Sequence, residues 1–204
     1  MPELYFIRHG QTDYNLKGIV QGGGIDSDLN ATGERQARLF FELYQETPFD
    51  RVYCSGLKRT YQTIRLFETV GYEIERLDAL NEMGWGVLEG AHASPEIRAE
   101  YARLNERWSA GDLAYRIPEG ESPESAWART VPGLEQIIEE TGPGGRALIC
   151  THGRLLRIIL SQLLGYGMQH MGLFPHENTA LNLLVRQSNG RWLAERMNDL
   201  SHLA

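Results

Sequence analysis

Short apolar segments alternate with longer amphipathic segments along most of this 204-residue chain. The longer segments repeat apolar residues every third or fourth position, as helices do, while the short segments have strand length and are bounded by turn residues. Strands that alternate with helices predict a mostly parallel sheet, because parallel strands need a crossover connection between them. We therefore predict an α/β protein with three layers, α/β/α.

Six segments have the properties of strands, namely 4–7, 51–54, 73–77, 146–150, 179–185 and 191–196. Five segments have helical periodicity, namely 30–44, 57–70, 95–108, 125–140 (bent or interrupted at Pro132) and 155–164. The last two strands are separated by Ser188-Asn-Gly, which predicts a hairpin turn. We therefore expect an antiparallel pair at one edge of the parallel sheet.

The length fits one domain over residues 1–204 with a large apolar core. Between about 90 and 122 the periodicity weakens, and glycine, proline, tryptophan and charged residues mix around one helical stretch. We predict that this segment is a lid-like insertion over a ligand pocket.

Composition and charge limit the classes of partner that this protein is expected to bind. The net charge of −7 disfavours nucleic acid and anionic membranes, which both need a basic surface. No apolar run approaches the roughly 20 residues of a membrane span, and no secretory signal follows Met1. Cys54 and Cys150 have no partner motif, so we expect reduced, buried thiols in a cytoplasmic protein. The sequence leaves oligomeric state open.

Polar and cationic residues follow three of the predicted strands at the point where each strand ends. Arg8 and His9 follow the first strand, and Arg59 lies just inside the helix after the second. His152 and Gly153 follow the strand that ends at residue 150. Ligands of open α/β sheets bind beyond the carboxyl ends of the strands, so these groups are expected to converge there.

Two arginines and two histidines suit an anion, and a phosphomonoester fits them best. Guanidinium groups bind two phosphate oxygens at once, and a histidine nitrogen can carry a phosphoryl group. The other histidine is expected to be charged and to donate to a phosphate oxygen. The glycine after each histidine leaves room for close approach of a ligand. Neither a Walker loop nor a carboxylate cluster suited to Mg²⁺ is apparent, so we expect no metal and no cofactor.

Transfer of a phosphoryl group to histidine also requires a proton for the leaving oxygen. Glu82 follows the third strand, and Glu89 lies in the same loop. Glu119 and Glu121 are rivals from the next loop. Spacing alone does not separate Glu82 from Glu89.

The chain resembles the histidine phosphatase superfamily, specifically its phosphoglycerate-mutase-like branch. The resemblance covers nearly the whole chain in the family's order. The motifs that carry it are Arg8-His-Gly-Gln-Thr with Asn15, Gln21-Gly, 26–33 with Gln36-Ala, Ser55-Gly-Leu-Lys-Arg-Thr, Glu82 with Gly86 and Glu89-Gly90, Gly120-Glu-Ser, and Thr151-His-Gly.

This resemblance implies a two-step mechanism without metal, in which His9 attacks phosphorus and becomes phosphorylated. Arg8, Arg59 and His152 would bind the phosphoryl oxygens, and Glu82 would protonate the departing alcohol and then activate water. The resemblance thereby selects Glu82 over Glu89. It also implies a set of residues that line the phosphate or substrate site: Asn15, Gln21, Gly22 and Gly153.

Three positions depart from the family pattern. Asp28 stands where the family commonly has proline. Asn30 stands where the family frequently has threonine, and asparagine caps a helix at least as well as threonine does. Arg154 replaces a small residue after the second His-Gly. Its side chain either binds a second anionic group or points to solvent, and the sequence does not decide between them.

Three functions remain open, with a small-molecule phosphomonoester as the partner in each. We favour a metal-independent phosphomonoesterase that acts through phosphohistidine on a small phosphorylated metabolite. A cofactor-dependent phosphoglycerate mutase is the alternative, although Arg98, Arg103 and Arg107 of the short insertion are expected to form a solvated helix face with nearby glutamates. An inactive phospho-ligand binder is the third, but every residue expected for chemistry is present.

Overall fold

A six-stranded mixed sheet lies at the centre of the protein, and the computed structural model describes all residues, 1–204. The strand order is β3-β2-β4-β1-β5-β6. β1 to β4 are parallel, β5 runs antiparallel to β1, and β6 runs antiparallel to β5. This confirms the parallel sheet with an antiparallel pair at one edge. The strands are β1 Glu3–Arg8, β2 Arg51–Cys54, β3 Ile74–Arg76, β4 Arg146–Thr151, β5 Leu181–Arg186 and β6 Trp192–Asp199.

Six α-helices flank the sheet, and five of them correspond to the predicted helices. The sixth is a single turn that starts after Thr12, whose hydroxyl caps it, and ends at Gly18 with a left-handed φ of 63°. The helices are α1 Asp13–Lys17, α2 Ala31–Tyr44, α3 Lys58–Ile64, α4 Pro95–Ser109, α5 Pro123–Thr141 and α6 Gly153–Leu163. Asn30 caps α2 by accepting a hydrogen bond from Gly33 N, as expected.

One helix prediction was wrong in detail, and one alternative of a second is excluded. The segment 57–70 is not one helix, because the backbone leaves helical geometry at Ile64 (φ −117°, ψ 0°) and continues as a 3-10 helix, Arg65–Val70. Pro132 does not interrupt α5. Buried residues on both sides of Pro132, among them Ala126 and Ile137, hold the two halves of α5 on one core, which outweighs the lost backbone hydrogen bond.

Two apolar clusters lie on opposite faces of the sheet. Phe6 of β1 belongs to the larger cluster, which contains residues of α4, α5 and α6. The neighbouring Ile7 belongs to the smaller cluster, with Phe40 of α2 and Ile64 of α3. Successive strand residues point to opposite faces, so this division is direct evidence for the three-layer arrangement.

The segment from 90 to 122 is fastened to the larger cluster through α4. Leu104 and Trp108 of α4 are buried there, and Trp108 Nε1 donates to Tyr115 O at 2.8 Å. A bridge between Trp85 and Gly120 joins the segment to the loop after β3. This arrangement brings Tyr101 of α4 to the cavity described below.

Cys54 and Cys150 are fully buried free thiols on the paired strands β2 and β4. Burial raises the pKa of Cys54 to about 12 and raises the pKa of Cys150 well above its ordinary value. Neither thiol is therefore activated as a nucleophile. None of the helices combines the length and the apolar character needed to cross a membrane.

Candidate active site

A cavity of about 230 Å³ opens at the carboxyl ends of β1 and β4. Part of the predicted site lines it, namely Arg8, Asn15, Gln21, Glu82 and Gly153. The remaining predicted residues do not line the cavity but contact one another or residues near its wall; they are His9, Arg59, His152 and Gly22. The strand ends thus bring the predicted residues into one region.

His9 directly follows β1 and is only 3% exposed. Its Nδ1 lies 2.7 Å from Gly10 O, and a carbonyl oxygen can only accept, so Nδ1 carries the proton and Nε2 keeps its lone pair. Burial, followed by the cations Arg59 and Arg8, lowers the pKa of His9 well below its ordinary value. His9 is therefore a neutral imidazole with a free Nε2, the form that attacks phosphorus.

His152 has the opposite tautomer. Its Nδ1 accepts a hydrogen bond from Arg59 Nε at 3.1 Å, so Nε2 carries the proton and donates to Ser55 Oγ at 2.8 Å. The His9 and His152 ring centroids are 5.2 Å apart.

The protein's own groups do not favour the charged form of His152. Burial, then Arg59, lowers the pKa of His152 well below its ordinary value, and the neighbours His9 and Arg8 act in the same direction. These neighbours are cations and a second imidazole rather than anions. The charged form of His152 therefore requires a bound anion among these groups.

Arg59 is completely buried at the start of α3. Besides its bond to His152, it donates from Nη1 to Ile25 O at 2.6 Å and from Nη2 to Gly22 O at 3.2 Å. Burial lowers the pKa of Arg59 to about 10. The guanidinium thus fixes the 22–25 loop to the second histidine, and Gly22 contributes its carbonyl oxygen to this arrangement.

Arg8 lines the cavity at the end of β1. Its Nη1 donates to His176 O at 2.7 Å, while its Nε is buried and has no partner. Gly153 lies against this group, since a Cβ there would be 3.3 Å from Arg8 Nε and would overlap the His176 ring. Arg8 therefore retains a donor beside the cavity.

The sequence predicts that the space beside Gly10 admits a ligand, but helix α2 occupies that space. A Cβ on Gly10 would lie 2.8 Å from Gly33 O, in the first turn of α2. Gly10 N also donates to Thr63 Oγ1 at 2.9 Å. The missing side chain of Gly10 thus lets α2 approach the end of β1, and a ligand does not occupy that space.

Glu82 lines the cavity and is 7% exposed. Three backbone N–H groups hold its carboxylate: Met83 N and Leu155 N at 2.9 Å from Oε1, and Arg154 N at 3.0 Å from Oε2. Arg154 and Leu155 belong to the first turn of α6, where free N–H groups and the helix dipole favour a carboxylate. The first turn of α6 therefore orients Glu82 beside the cavity.

The other three glutamates lie elsewhere. Glu89 Oε1 accepts from Trp85 N at 3.0 Å and from Gly24 N at 3.3 Å, so it fastens the glycine-rich loop. Glu121 is ion-paired with Arg129 at 2.9 Å, and Glu119 is exposed. None of the three lines the cavity, so the geometry separates Glu82 from Glu89 where spacing did not.

Asn15 and Gln21 lie in the cavity wall, and both are held by Thr12. Thr12 N donates to Asn15 Oδ1 at 3.2 Å, and Thr12 Oγ1 donates to Gln21 Oε1 at 2.9 Å. The Gln21 amide nitrogen donates in turn to Ser27 Oγ. These bonds give the two amide side chains fixed orientations at the mouth of the cavity.

Sequence reasoning missed two residues of this region, His176 and Asn178. His176 lines the cavity, and Asn178 Nδ2 donates to His9 O at 2.8 Å and to Asn15 Oδ1 at 3.3 Å. Both lie in an irregular segment without a motif. The only available signal was position, since that segment leads into β5, which pairs with β1.

The Arg154 side chain lines the cavity, so of the two alternatives left open by the sequence the solvent-facing orientation is not the one adopted. Its guanidinium carbon is 5.5 Å from the Trp85 ring centroid and 5.2 Å from that of Trp108. Its Nη1 is buried without a hydrogen-bond partner. No three His, Cys, Asp or Glu side chains are grouped so as to bind a metal ion together.

The sheet and these residues define an α/β protein with histidine and arginine side chains gathered at the carboxyl ends of its strands. The chain belongs to the histidine phosphatase superfamily (branch 1), whose family model matches residues 4–200. It is thus an enzyme of the histidine phosphatase type.

Two curated relatives and one solved structure illustrate the similarity. "Probable phosphoglycerate mutase GpmB" of Enterobacter sp. (strain 638) is 31% identical over 208 residues, covering 100% of this chain and 95% of the relative. "Putative phosphoserine phosphatase 2" of Hydrogenobacter thermophilus is 30% identical over 203 residues, covering 99% and 98%. The α-ribazole phosphatase from Shigella flexneri is 25% identical with a TM-score of 0.82, covering 97% and 96%.

Proposed function

We propose that this protein is a metal-independent phosphomonoesterase that hydrolyses a small phosphorylated metabolite through a phosphohistidine intermediate. The observation that carries the proposal is the state of His9. Its Nδ1–H is engaged by Gly10 O, its pKa is depressed, and the cations Arg8 and Arg59 lie close enough to contribute to that depression. A neutral nitrogen nucleophile among cations suits attack on a phosphate dianion.

In the first step, Nε2 of His9 forms a bond to phosphorus while the ester P–O bond breaks. Glu82 enters this step protonated, gives its proton to the leaving alcohol oxygen, and becomes the carboxylate that the three backbone N–H groups hold. In the second step, Glu82 takes a proton from a water molecule that attacks the phosphohistidine. The P–N bond breaks, inorganic phosphate leaves, and both His9 and Glu82 return to their starting protonation states.

The surrounding groups bind the phosphoryl oxygens as charge moves onto them. Arg8 contributes its unpartnered Nε, and Arg59 contributes the N–H groups that its bonds to Ile25 O and Gly22 O leave free. His152 binds a phosphoryl oxygen by exchanging its Nε2–H bond to Ser55 Oγ for one to the ligand. Asn15, Gln21 and the backbone at Gly153 complete the wall. Gly22 supports this arrangement indirectly, through its carbonyl bond to Arg59.

The cavity limits the size of the leaving group. Its volume of about 230 Å³ lies below the ~300–1,000 Å³ typical of pockets for drug-sized ligands. A phosphate and a leaving group of a few carbon atoms fit such a volume. The size favours a small metabolite over a nucleotide or a long-chain ester.

A phosphoglycerate mutase activity is the second candidate, because one relative carries that name. The arginines of α4 favour hydrolysis, however. Arg103 pairs with Glu100 at 3.7 Å, Arg107 pairs with Asp112, and neither arginine lines the cavity. The insertion therefore brings no cation to the cavity that would retain a phosphorylated product for a second transfer.

Rapid acid-free quenching with ³²P-labelled p-nitrophenyl phosphate tests the proposal. We expect acid-labile label on the wild type, none on His9→Ala, and undiminished turnover in the presence of a chelator. His170→Ala is the control, since His170 is exposed and does not line the cavity. Full activity of His9→Ala, or loss of activity in chelator, contradicts the mechanism. Isomerisation of 3-phosphoglycerate that exceeds phosphate release identifies the mutase instead.

A further inference from the structure

Two arginines near the start of α6 carry nitrogen atoms that no protein group binds. Nη1 of Arg154 and Nε of Arg157 are both buried and have no hydrogen-bond partner. No carboxylate lies within ion-pairing distance of either side chain. Leaving a charge unpaired in a protein wall is costly, so two such cations together indicate a site for an anion.

The guanidinium of Arg154 is held in place by apolar surroundings and not by an acid. It faces the rings of Trp85 and Trp108, and Tyr101 lies beside it in the cavity wall. Burial, followed by the nearby Arg157, lowers the pKa of Arg154 to about 10. The aromatic rings orient the cation while all of its strong hydrogen-bonding capacity remains free.

Arg157 belongs to the same cationic group. It lies close enough to Arg8 and His176 to contribute to the lowering of their pKa values. The one carboxylate in the cavity wall, that of Glu82, already accepts three backbone hydrogen bonds. Since no carboxylate forms an ion pair with Arg154 or Arg157, a phosphate group on Arg8 would leave both guanidinium groups without a hydrogen-bonded counter-ion.

We infer that Arg154 and Arg157 form a second anion subsite, so that the substrate is a small phosphomonoester whose leaving alcohol carries a second anionic group. The inference rests on the proposed function, because it assigns the leaving group of that reaction. The second group is a carboxylate or a further phosphate, which share the planar or tripodal oxygens that guanidinium binds. The cavity of about 230 Å³ places this group within a few bonds of the ester oxygen.

Matched substrates test this subsite. O-phosphoserine and O-phosphoethanolamine differ only in a carboxylate, and 1,3-propanediol bisphosphate and 3-hydroxypropyl phosphate differ only in a second phosphate. We expect the wild type to prefer the anionic member of at least one pair by about 10- to 100-fold in kcat/KM, the range of one charge-assisted hydrogen bond. The pair that shows the preference identifies the second group.

Variants assign the preference to the arginines. Arg154→Gln and Arg157→Gln should each reduce the ratio of kcat/KM within the preferred pair, whereas Arg154→Lys should retain part of it. Arg35→Gln is the control, because it removes the same charge from an exposed position on α2. Calorimetric binding of the same compounds to His9→Ala measures the preference without turnover, and circular dichroism verifies folding of every variant.

The outcomes separate this inference from the proposed function. Hydrolysis of both members of each pair with equal kcat/KM overturns the subsite and leaves the phosphatase intact. A preference that survives unchanged in both arginine variants overturns it as well. Absence of hydrolysis with every compound contradicts the proposed function. In that case the subsite is tested by calorimetry alone, and equal affinity of His9→Ala for both members of each pair overturns it.

Discussion

Arg59 Nε donates a hydrogen bond to Nδ1 of His152 over 3.1 Å, and this contact fixes the protonation pattern of the buried site. A guanidinium can only donate, so His152 must present a lone pair to it and carry its proton on Nε2. That proton binds Ser55 Oγ, which also contacts Thr60 Oγ1 at 2.8 Å. The end of β2, the start of α3 and the end of β4 are therefore joined by one polar network.

Arg59→Lys should lower kcat/KM for p-nitrophenyl phosphate by at least about 100-fold, because an ammonium cannot reproduce the forked donor geometry of guanidinium. Lysine cannot bind His152, Ile25 O and Gly22 O together as Arg59 does. Arg38→Lys, at an exposed position of α2, is the matched control. Near-native activity of Arg59→Lys would show that the network is dispensable.

The two buried histidines should show opposite tautomers in solution. Two-bond ¹H–¹⁵N correlation spectra at neutral pH should show His9 protonated on Nδ1 and His152 protonated on Nε2. The depressed pKa values of both groups keep them neutral at that pH. His9→Gln and His152→Gln assign the signals. Detection of the same tautomer for both rings contradicts the geometry.

Glu82→Gln should have an effect that depends on the leaving group. Alkyl alkoxides need a proton to depart, so hydrolysis of an alkyl phosphate should fall by about 10²- to 10⁴-fold. p-Nitrophenolate is a far weaker base, and the loss with p-nitrophenyl phosphate should be smaller. Glu119→Gln, at an exposed position, controls for the charge change. Equal losses with both substrates would argue that Glu82 does not act as the acid.

The sequence predicted the sheet and the convergence of its strand ends because both follow from local patterns and from the geometry of parallel strands. Arg8, His9, Arg59 and His152 could be placed from these patterns alone. His176 could not, because it reaches the cavity through an irregular segment whose path depends on the pairing of β5 with β1.

The charge state of His152 and the direction of Arg154 were likewise beyond the sequence. The pKa of His152 depends on how many cations pack around it and how completely water is excluded, which no spacing encodes. The burial of Arg154 depends on Trp85 and Trp108, which come from two distant segments of the chain. Both the pKa of His152 and the orientation of Arg154 depend on contacts between residues that are remote in the sequence, so they can be read only from the folded structure.

The protein should lose stability as the pH falls below about 6.5. The folded-state pKa values of His9 and His152 are depressed, those of His176 and His202 are lowered to about 3 and about 4, and unfolded histidine titrates near 6.5. The unfolded state therefore binds more protons between pH 6.5 and about 3, so the stabilisation present above pH 6.5 is lost on acidification.

Urea unfolding at several pH values measures this effect, and His202→Asn isolates one contribution. His202 lies against Phe40 and does not line the cavity, and its removal should reduce the stability loss between pH 6.5 and 4.5 by about 1 kcal/mol after allowing for solvent screening. His170→Asn, at an exposed position, is the matched control. An identical slope for the His202→Asn variant would contradict the assignment.

Gly33→Ala should destabilise the protein by about 1–3 kcal/mol, because a Cβ in the first turn of α2 would overlap Gln11 O and lie 2.8 Å from Gln11 N. Gly172→Ala is the matched control, since a Cβ there meets nothing within 4 Å. Thermal and urea unfolding compare the two variants. Equal stability of the two would show that α2 can move away from the end of β1 at little cost.

Arg154 contributes to the site through two independent parts: its backbone N–H holds Glu82, and its side chain faces the cavity. The first contact is the same for any residue with an N–H, whereas the second changes with every substitution. If the proposed function holds, substitutions at this position change the preference for the leaving group while Glu82 keeps its orientation. New leaving-group preferences are then accessible by single substitutions that leave the proton donor in place.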